Sequence, residues 1–234
     1  SDSEFTWKDF QSRVNNELVA ILGNFVNRVM VLSHKYFDGK VEIGSALSEI
    51  DNNVLAALST SPKEIEASIS QYRFREALTH FMNVARLGNK YLADEEPWKV
   101  YKVDAERVKT VLYVASQIVA NLGLFAQAFL PKTAHKIFAM LKIKPQEWSF
   151  AGNTEIIPKE HILGEAQLLF EKITDEQVVF QLQKLAHAKT ANSVNNSPAT
   201  TTKSNINYDD FLKMDIRVGR ILEAEKVPKT KKLL

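Results

Sequence analysis

Apolar side chains recur at steps of three or four residues along residues 7–36, and this repeat constrains the fold more than any other feature. The stripe consists of Trp7, Phe10, Val14, Leu18, Ile21, Phe25, Val29, Leu32 and Tyr36. Steps of this size place side chains on one face of an α-helix, which turns once in about 3.6 residues. Thr6 and Asp9 have the spacing of a helix cap, and Gly39 is a typical helix stop. We therefore predict one long amphipathic helix that buries this face against other helices.

Similar start and stop signals predict further helices along most of the chain. Ser61-Pro62 has the pattern of a helix start, Asp104 precedes a long apolar segment, and Pro131 opens a shorter one. We predict helices over residues 51–59, 61–73, 74–93, 104–130, 132–143 and 174–189. Residues 145–172 lack helical periodicity, and "IIPKEHIL" within them is typical of an extended piece. The predicted fold class is therefore mainly α.

The composition changes sharply after the last predicted helix. The segment "TANSVNNSPATTTKSN" (190–205) has almost no apolar residue, which is typical of a flexible linker, and a β-type run follows around Ile216–Ile221. We predict four parts: a helix bundle over 1–150, a peptide and helix packed on it over 151–189, a linker over 190–206, and the truncated start of a β-type domain over 207–234. The chain begins with Ser and stops without a closing element, so we expect it to be part of a longer protein.

Several classes of function are not expected from the composition. The formal net charge is +2, so any contact with nucleic acid must be local. The chain has no cysteine, and its five histidines are dispersed, which leaves no zinc-ligand pattern. It contains no phosphate-binding glycine loop, dinucleotide fingerprint or nucleophile elbow. No apolar run approaches the roughly 20 residues of a membrane span. We therefore expect a binding function rather than self-contained catalysis, and no membrane.

One candidate binding feature lies on the first predicted helix. Asn24 and Arg28 are four residues apart, which places both on one face beside the buried stripe. Gly23 precedes them and leaves room for a ligand to approach. The rigid donor fork of Arg and the donor–acceptor pair of Asn suit reading the edge of a nucleic-acid base. The spacing is equally consistent with two ordinary surface residues, and from spacing alone that interpretation is favoured.

The second candidate is the stretch "ADEEPWKV", residues 93–100, where Trp98 follows Pro97 at a predicted helix end. An indole in this position can stack on a base, which is worth roughly 1–3 kcal/mol. It can also fold back into the core, because Trp buries most of its area in typical folds. From the residues alone the core is the favoured interpretation.

These two motifs resemble those of a known family. "LGNFVNRVM" with "KYFDGKV", followed by "ARLGNKYLADEEPWKV", resembles the anticodon-binding helical domain of methionyl-tRNA synthetases, which are class I aminoacyl-tRNA synthetases. The later "YDDFLKMDIRVGRILEAEKVPKTKKLL" resembles the start of the tRNA-binding OB-fold domain that many bacterial members carry. The resemblance implies an anticodon-binding helix bundle, a linker and a truncated OB-type β segment.

The resemblance also implies roles for individual residues. Asn24 and Arg28 would contact cytosine, the first base of the CAU anticodon, and the Trp98 ring after Pro97 would stack on it. Asn89 would support this site. Many relatives carry an acid where this chain has Ala93, and Asp94 follows one place later as a supporting candidate. With Trp98 in this role we expect its side chain to be largely exposed and within reach of Asn24 and Arg28.

The whole enzyme implied by the resemblance is a cytoplasmic methionine–tRNA ligase. It uses ATP and methionine, with zinc as an optional metal, and charges initiator and elongator methionine tRNAs. The catalytic signatures of the family and its zinc-bearing insertion do not occur in this chain, so we expect the chain alone to be non-catalytic and to hold no cofactor. Expected partners are methionine tRNAs, the catalytic domain of the same protein, and a second copy bound through a complete C-terminal domain. The alternative is a helical protein–protein interaction scaffold without RNA specificity, in which Trp98 is buried.

Overall fold

The first predicted helix forms as one continuous run of helical turns, built from three pieces. The computed structural model describes residues 5–194 and 208–213. The pieces are α1 (Trp7–Arg13), a π-helical segment (Val14–Gly23) and α2 (Asn24–Phe37). Thr6 accepts a hydrogen bond from the Asp9 backbone at the start, and Gly39 adopts φ 79° just after the end. Both predicted ends are therefore confirmed.

The π-helical middle of this run was not predicted. Side chains in it and just before it bind the backbone of the segment that precedes the last long helix. Asn15 donates to the Ile173 carbonyl and accepts from the Ile173 N–H, both at 2.9 Å. Gln11, just before the π segment, donates to the same carbonyl at 3.1 Å. The apolar stripe continues through both helix types, so its spacing did not distinguish them.

The predicted break at Ser61-Pro62 is wrong. A single helix, α3 (Glu49–Ser70), runs through this point with Pro62 in its interior, and it begins with a capping box between Ser48 and Asp51. A proline inside a helix removes one N–H donor. Three hydroxyls of the preceding turn donate to carbonyls of the turn before them, at 2.8–3.0 Å: Ser59 to Ala56, and Thr60 and Ser61 to Ala57. Helix α3 thus continues through Pro62 without interruption.

The other long helices agree with the sequence in position. They are α4 (Phe74–Glu95), α6 (Ala105–Phe129), α7 (Pro131–Leu141) and α8 (Asp175–Val194), with a short α5 (Pro97–Val100) between α4 and α6. A 3₁₀ turn covers Trp148–Phe150. Asp104 and Thr174 cap α6 and α8 as predicted. Helix α8 continues to Val194, so five residues of the predicted linker are helical.

Helix α6 is the centre of the core. Nearly every residue from Val108 to Ala126 is buried, and α7, α4, α2 and α3 pack around this helix. Contrary to expectation, α6 is long and apolar enough to cross a membrane, but 89% of its most apolar window is buried inside the protein. It is the core helix of the bundle.

The irregular segment after α7 packs through backbone bonds to buried polar residues of α6. Gln117 donates to the Ile157 carbonyl at 2.8 Å and accepts from the Ile157 N–H at 3.0 Å. The predicted extended piece then forms β2 (His161–Ile162), antiparallel to β1 (Lys40–Val41), with Lys40 opposite Ile162. The buried amides of Gln117 and Asn121 thus pair with backbone groups of a segment that has almost no regular structure of its own, Asn121 through the Asn153 carbonyl and the Gly152 N–H, each at 2.8 Å.

The chain divides into two units, Ser1–Lys184 and Leu185–Leu234. In the second unit the structure describes the end of α8 and a short helix, α9 (Tyr208–Leu212). The predicted linker beyond residue 194 and the β-type run around Ile216–Ile221 lie outside the described residues. The division into a bundle, a packed peptide, a linker and an OB-type segment therefore stays a prediction.

Candidate functional site

Helices α2 and α4 approach closely because Gly88 has no side chain. A Cβ at Gly88 would lie 2.4 Å from Cζ of Phe25, whose ring is fully buried. This contact brings the neighbouring residues of the two helices together, Asn24 on α2 and Asn89 on α4. The glycine therefore fixes the distance across which the candidate site is built.

Asn89 orients Asn24. The Asn89 Nδ2 group donates to the Ile21 carbonyl at 2.9 Å and to the Ala85 carbonyl at 3.0 Å. Its Oδ1 atom is then left to accept from Nδ2 of Asn24, at 3.4 Å. With its amide nitrogen turned toward Asn89, Asn24 presents its Oδ1 atom as a hydrogen-bond acceptor at an exposed position. The supporting role expected for Asn89 thus has a contact to act through.

Arg28 lies one turn further along α2 and covers the Trp98 ring. Its guanidinium carbon is 4.8 Å from the ring centroid, a cation–π arrangement. Trp98 is half-buried, so it is neither a core residue nor largely exposed as expected. The pair Asn24–Asn89 and the pair Arg28–Trp98 thus lie one helical turn apart along α2, and we call these four residues the asparagine–tryptophan cluster.

A sharp change of chain direction places Trp98 beside α2. Helix α4 ends at Glu95, and Glu96 adopts the left-handed conformation, with φ 40° and ψ 53°. Pro97 follows as the first residue of α5 and is buried. A proline fits this position because its missing N–H is unpaired in any first helical turn. The stop predicted at Pro97 is therefore confirmed, and it offsets the indole from the axis of α4.

Asp94 is not brought into the cluster by any contact that the structure gives. Its carboxylate pairs with Lys90 of the same helix. It lines a shallow cleft together with Ile50 and Asn53 of α3. Ala93, one turn after Asn89, is exposed. The supporting role of Asp94 therefore stays a prediction without a contact behind it.

A buried ionic network next to the cluster was not anticipated. The Asp51 side chain is fully buried and pairs with both terminal nitrogens of Arg107, one at 2.9 Å. It also accepts from the Tyr91 hydroxyl at 2.5 Å and from the Ser48 N–H at 2.8 Å. Arg107 donates further to Glu95, from Nη2 at 2.7 Å and from Nε at 3.1 Å. The first turns of α3 and α6 and the end of α4 are thereby joined at one point.

The network favours the charged form of Asp51. Burial raises the pKa of the Asp51 carboxyl, but hydrogen bonds from Arg107, Tyr91 and the Ser48 backbone outweigh burial and hold this pKa below its ordinary value. The hydrogen bonds to Asp51 in turn raise the pKa of Arg107. Burial and the hydrogen bond to Asp51 both raise the pKa of Tyr91. At neutral pH the network is an ion pair with a neutral phenol.

Two family models match the chain. The model described as the anticodon binding domain of methionyl tRNA ligase matches residues 41–190, which is more than half of the sequence. The chain belongs to this family. The model of class I tRNA synthetases (M) matches residues 1–30. The predicted family and the mainly helical anticodon-binding fold are thus confirmed.

Curated relatives agree with the family models. The methionine–tRNA ligases of Flavobacterium psychrophilum and Cytophaga hutchinsonii are 54% and 52% identical to the chain. Both matches cover 100% of this chain and 34% of the relative. The chain therefore spans about a third of the length of the ligases that it matches.

A solved structure supports the fold of this anticodon-binding domain. The apo form of Mycobacterium tuberculosis methionyl-tRNA synthetase superposes with a TM-score of 0.69 at 24% identity, over 74% of this chain and 36% of that one. At this identity the likeness concerns the fold alone. Within residues 5–194 and 208–213, no three acidic or histidine side chains converge on a point where a metal could bind. The chain also has no cysteine, so the described residues do not fit a bound zinc ion.

Replacing Asn89 with alanine is expected to release Asn24 and to lower the free energy of unfolding by about 1 kcal/mol, since three hydrogen bonds are lost for one side chain. Urea denaturation measures the stability, and the side-chain amide shifts of Asn24 in a ¹⁵N–¹H spectrum report its orientation. Asn53→Ala, at an exposed site on α3, is the control and leaves both unchanged. Unchanged Asn24 shifts in Asn89→Ala would contradict the orienting role.

Proposed function

We propose that this chain reads the CAU anticodon of initiator and elongator methionine tRNAs, and that the asparagine–tryptophan cluster binds the first base. The observation that carries the proposal is the convergence of Arg28, Asn24 and Trp98 from two separate motifs, with the guanidinium 4.8 Å from the ring centroid. An oriented amide, a donor fork and a flat ring are the three elements needed to hold one base by its edge and its face.

The polarity of the cluster suits cytosine. Asn24 offers its Oδ1 acceptor because its amide nitrogen is engaged by Asn89. The exocyclic amine of cytosine is a donor, whereas uracil carries an acceptor at the same position. Arg28 supplies donors to the ring acceptors of the base. Uracil would leave two acceptors facing each other, and an unpaired buried polar group costs about 1–3 kcal/mol.

Trp98 supplies the stacking surface. In the free protein one face of its ring is covered by the Arg28 guanidinium. A base that stacks on Trp98 must therefore use the opposite face or displace the guanidinium. Since Arg28 also donates to the base in this proposal, its guanidinium changes position when RNA binds, as side chains at interfaces commonly do.

The proposed setting of this domain is a whole methionine–tRNA ligase of the cytoplasm. In that enzyme a catalytic domain of the same protein joins methionine to tRNA with ATP, and a complete C-terminal domain pairs two copies. The curated relatives carry the name methionine–tRNA ligase, and this chain spans 34% of their length. Its own residues would select the tRNA and take no part in the chemical step.

A helical scaffold for a protein partner is the second candidate. A groove lined by Phe10, Phe74 and Leu78, all exposed, is the surface such a partner would use. Nothing in the structure indicates what occupies it. The contact between Arg28 and the partly exposed Trp98 ring favours RNA, because the scaffold alternative expects that indole to be buried.

Binding of anticodon stem-loops tests the proposal. The chain is expected to prefer a CAU loop over a UAU loop by about 10-fold or more, since one well-read base is worth roughly 1–3 kcal/mol. Fluorescence anisotropy at two salt concentrations measures both affinities, which should fall together as salt rises. A loop changed outside the anticodon is the control. Equal affinity for CAU and UAU loops would overturn the proposal.

A further inference from the structure

One residue outside the cluster holds both ends of the segment that carries Trp98. This segment, residues 96–104, connects α4 to α6. At its entry, Glu95 accepts two hydrogen bonds from the Arg107 guanidinium, at 2.7 and 3.1 Å. At its exit, Asp104 accepts from the Arg107 backbone N–H at 2.9 Å. Arg107 therefore closes the base of the loop on which Trp98 stands.

Arg107 is itself fixed to the bundle. Only 17% of its side chain is exposed, and its ion-pair partner Asp51 is at 0%. Its Nη2 group also lies 3.2 Å from the Ser48 hydroxyl at the start of α3. These contacts fix the orientation of the guanidinium. If it turned away from Asp51, a buried carboxylate would be left without its partner, which is costly. The loop is thus tied to a rigid point.

We infer that Arg107 is a positioning residue for base recognition, acting through Glu95 to hold Trp98 against Arg28. This inference rests on the proposed function. A stacking surface contributes to selectivity only when it is held in place before the base arrives, since otherwise binding must also order the loop. Glu95 is the link in this chain of contacts that directly adjoins the loop.

Glu95 permits a test that leaves the buried ion pair intact. Glu95→Ala removes the acceptor at the loop entry but keeps Arg107 paired with Asp51. Glu95→Gln restores an acceptor oxygen and serves as the rescue. Asn121→Ala is the matched control. Asn121 is a fully buried polar residue of α6, the helix that carries Arg107, and it donates to the Asn153 carbonyl at 2.8 Å. It lies about 21 Å along α6 from Arg107, at roughly 1.5 Å per residue.

Two readouts are measured on the full chain at a temperature where all variants are folded. One is the affinity ratio between CAU and UAU stem-loops. The other is the ¹⁹F resonance of 5-fluorotryptophan at Trp98, assigned with Trp98→Phe. Glu95→Ala is expected to lower the ratio by about 3-fold, which is less than the loss expected on removing the whole ring, and to shift or broaden the resonance. Glu95→Gln stays near wild type. Asn121→Ala lowers Tm but changes neither readout.

Two results would overturn the inference, and a third outcome separates its failure from the failure of the proposed function. The first is a Glu95→Ala variant with an unchanged ratio and an unchanged resonance. The second is an Asn121→Ala variant that loses the ratio as strongly as Glu95→Ala, because the effect would then be general destabilisation. The third arises if wild type shows no preference for CAU. In that case the proposed function has failed. The Trp98 resonance then decides the positioning role by itself: no change in Glu95→Ala overturns that role, and a change supports it.

Discussion

Replacing Trp98 with alanine is expected to remove most of the preference for CAU over loops with a changed first base. The ring contributes a stacking surface and orders Arg28 through the contact at 4.8 Å. Stacking of a base on an aromatic side chain is worth roughly 1–3 kcal/mol, which corresponds to about 5- to 150-fold in affinity. Anisotropy titrations of matched stem-loops give the ratio directly. Trp98→Phe keeps a smaller ring and is expected to fall between wild type and alanine.

Trp148→Phe is the control for this prediction. Trp148 is half-buried and packs on Phe125, with ring centroids 5.8 Å apart, and it has no contact with the asparagine–tryptophan cluster among the described residues. Its replacement should change stability slightly and the affinity ratio not at all. If Trp98→Ala binds CAU loops with undiminished selectivity, the assignment of the cluster to the first base is wrong.

Among the substitutions that we predict, Asp51→Ala is expected to lower the free energy of unfolding most. Removing one partner of a buried ion pair typically costs about 3–5 kcal/mol, because the other charge stays buried without its partner. Here the change also removes the acceptor of the Tyr91 hydroxyl and the cap of α3. Urea unfolding followed by circular dichroism measures the loss.

An exposed ion pair supplies the control for Asp51. Asp175 pairs with Lys8 at 3.1 Å, but the side chains are 76% and 77% exposed. Asp175→Ala should therefore cost no more than about 1 kcal/mol. A loss of similar size in both variants would contradict the view that burial makes the Asp51 network strong.

The contribution of Asp51 to the free energy of unfolding is expected to depend on pH. Its pKa in the folded protein lies below the ordinary value, so the folded state binds fewer protons than the unfolded state near that value. The stabilisation is complete above the unfolded pKa, about 3.9, and is lost as pH falls through the folded pKa. The difference in stability between wild type and Asp51→Ala should consequently narrow in acid and stay constant near neutral pH.

The helices could be predicted where the signals are local. Caps at Thr6, Asp104 and Thr174 act within one helical turn, so the sequence was sufficient to find them. Ser61-Pro62 misled for the same reason. Its pattern is the same at a helix start and at a point where a longer helix continues through a proline, as α3 does. The π segment left no trace in the apolar spacing.

The part of the site that lies on one helix could be predicted from the sequence. The shared face of Asn24 and Arg28 follows from helical spacing alone. The approach of Trp98 does not, because it depends on the turn at Glu96 and on packing between α2 and α5. The ionic network was missed since Asp51, Tyr91 and Arg107 lie on three helices, and no short-range pattern connects them.

The π-helical segment offsets the two α-helical halves of the first run in rotation about the helix axis. Each residue of a π-helix turns through a smaller angle about the axis than a residue of an α-helix, so ten such residues accumulate a rotational lag. The face that α1 presents to the Ile173 backbone therefore does not dictate the face that α2 presents to Trp98. Deleting one residue between Val14 and Gly23 would reset this phase and turn α1 away from the Ile173 backbone, since the buried Phe25 holds α2 in the core.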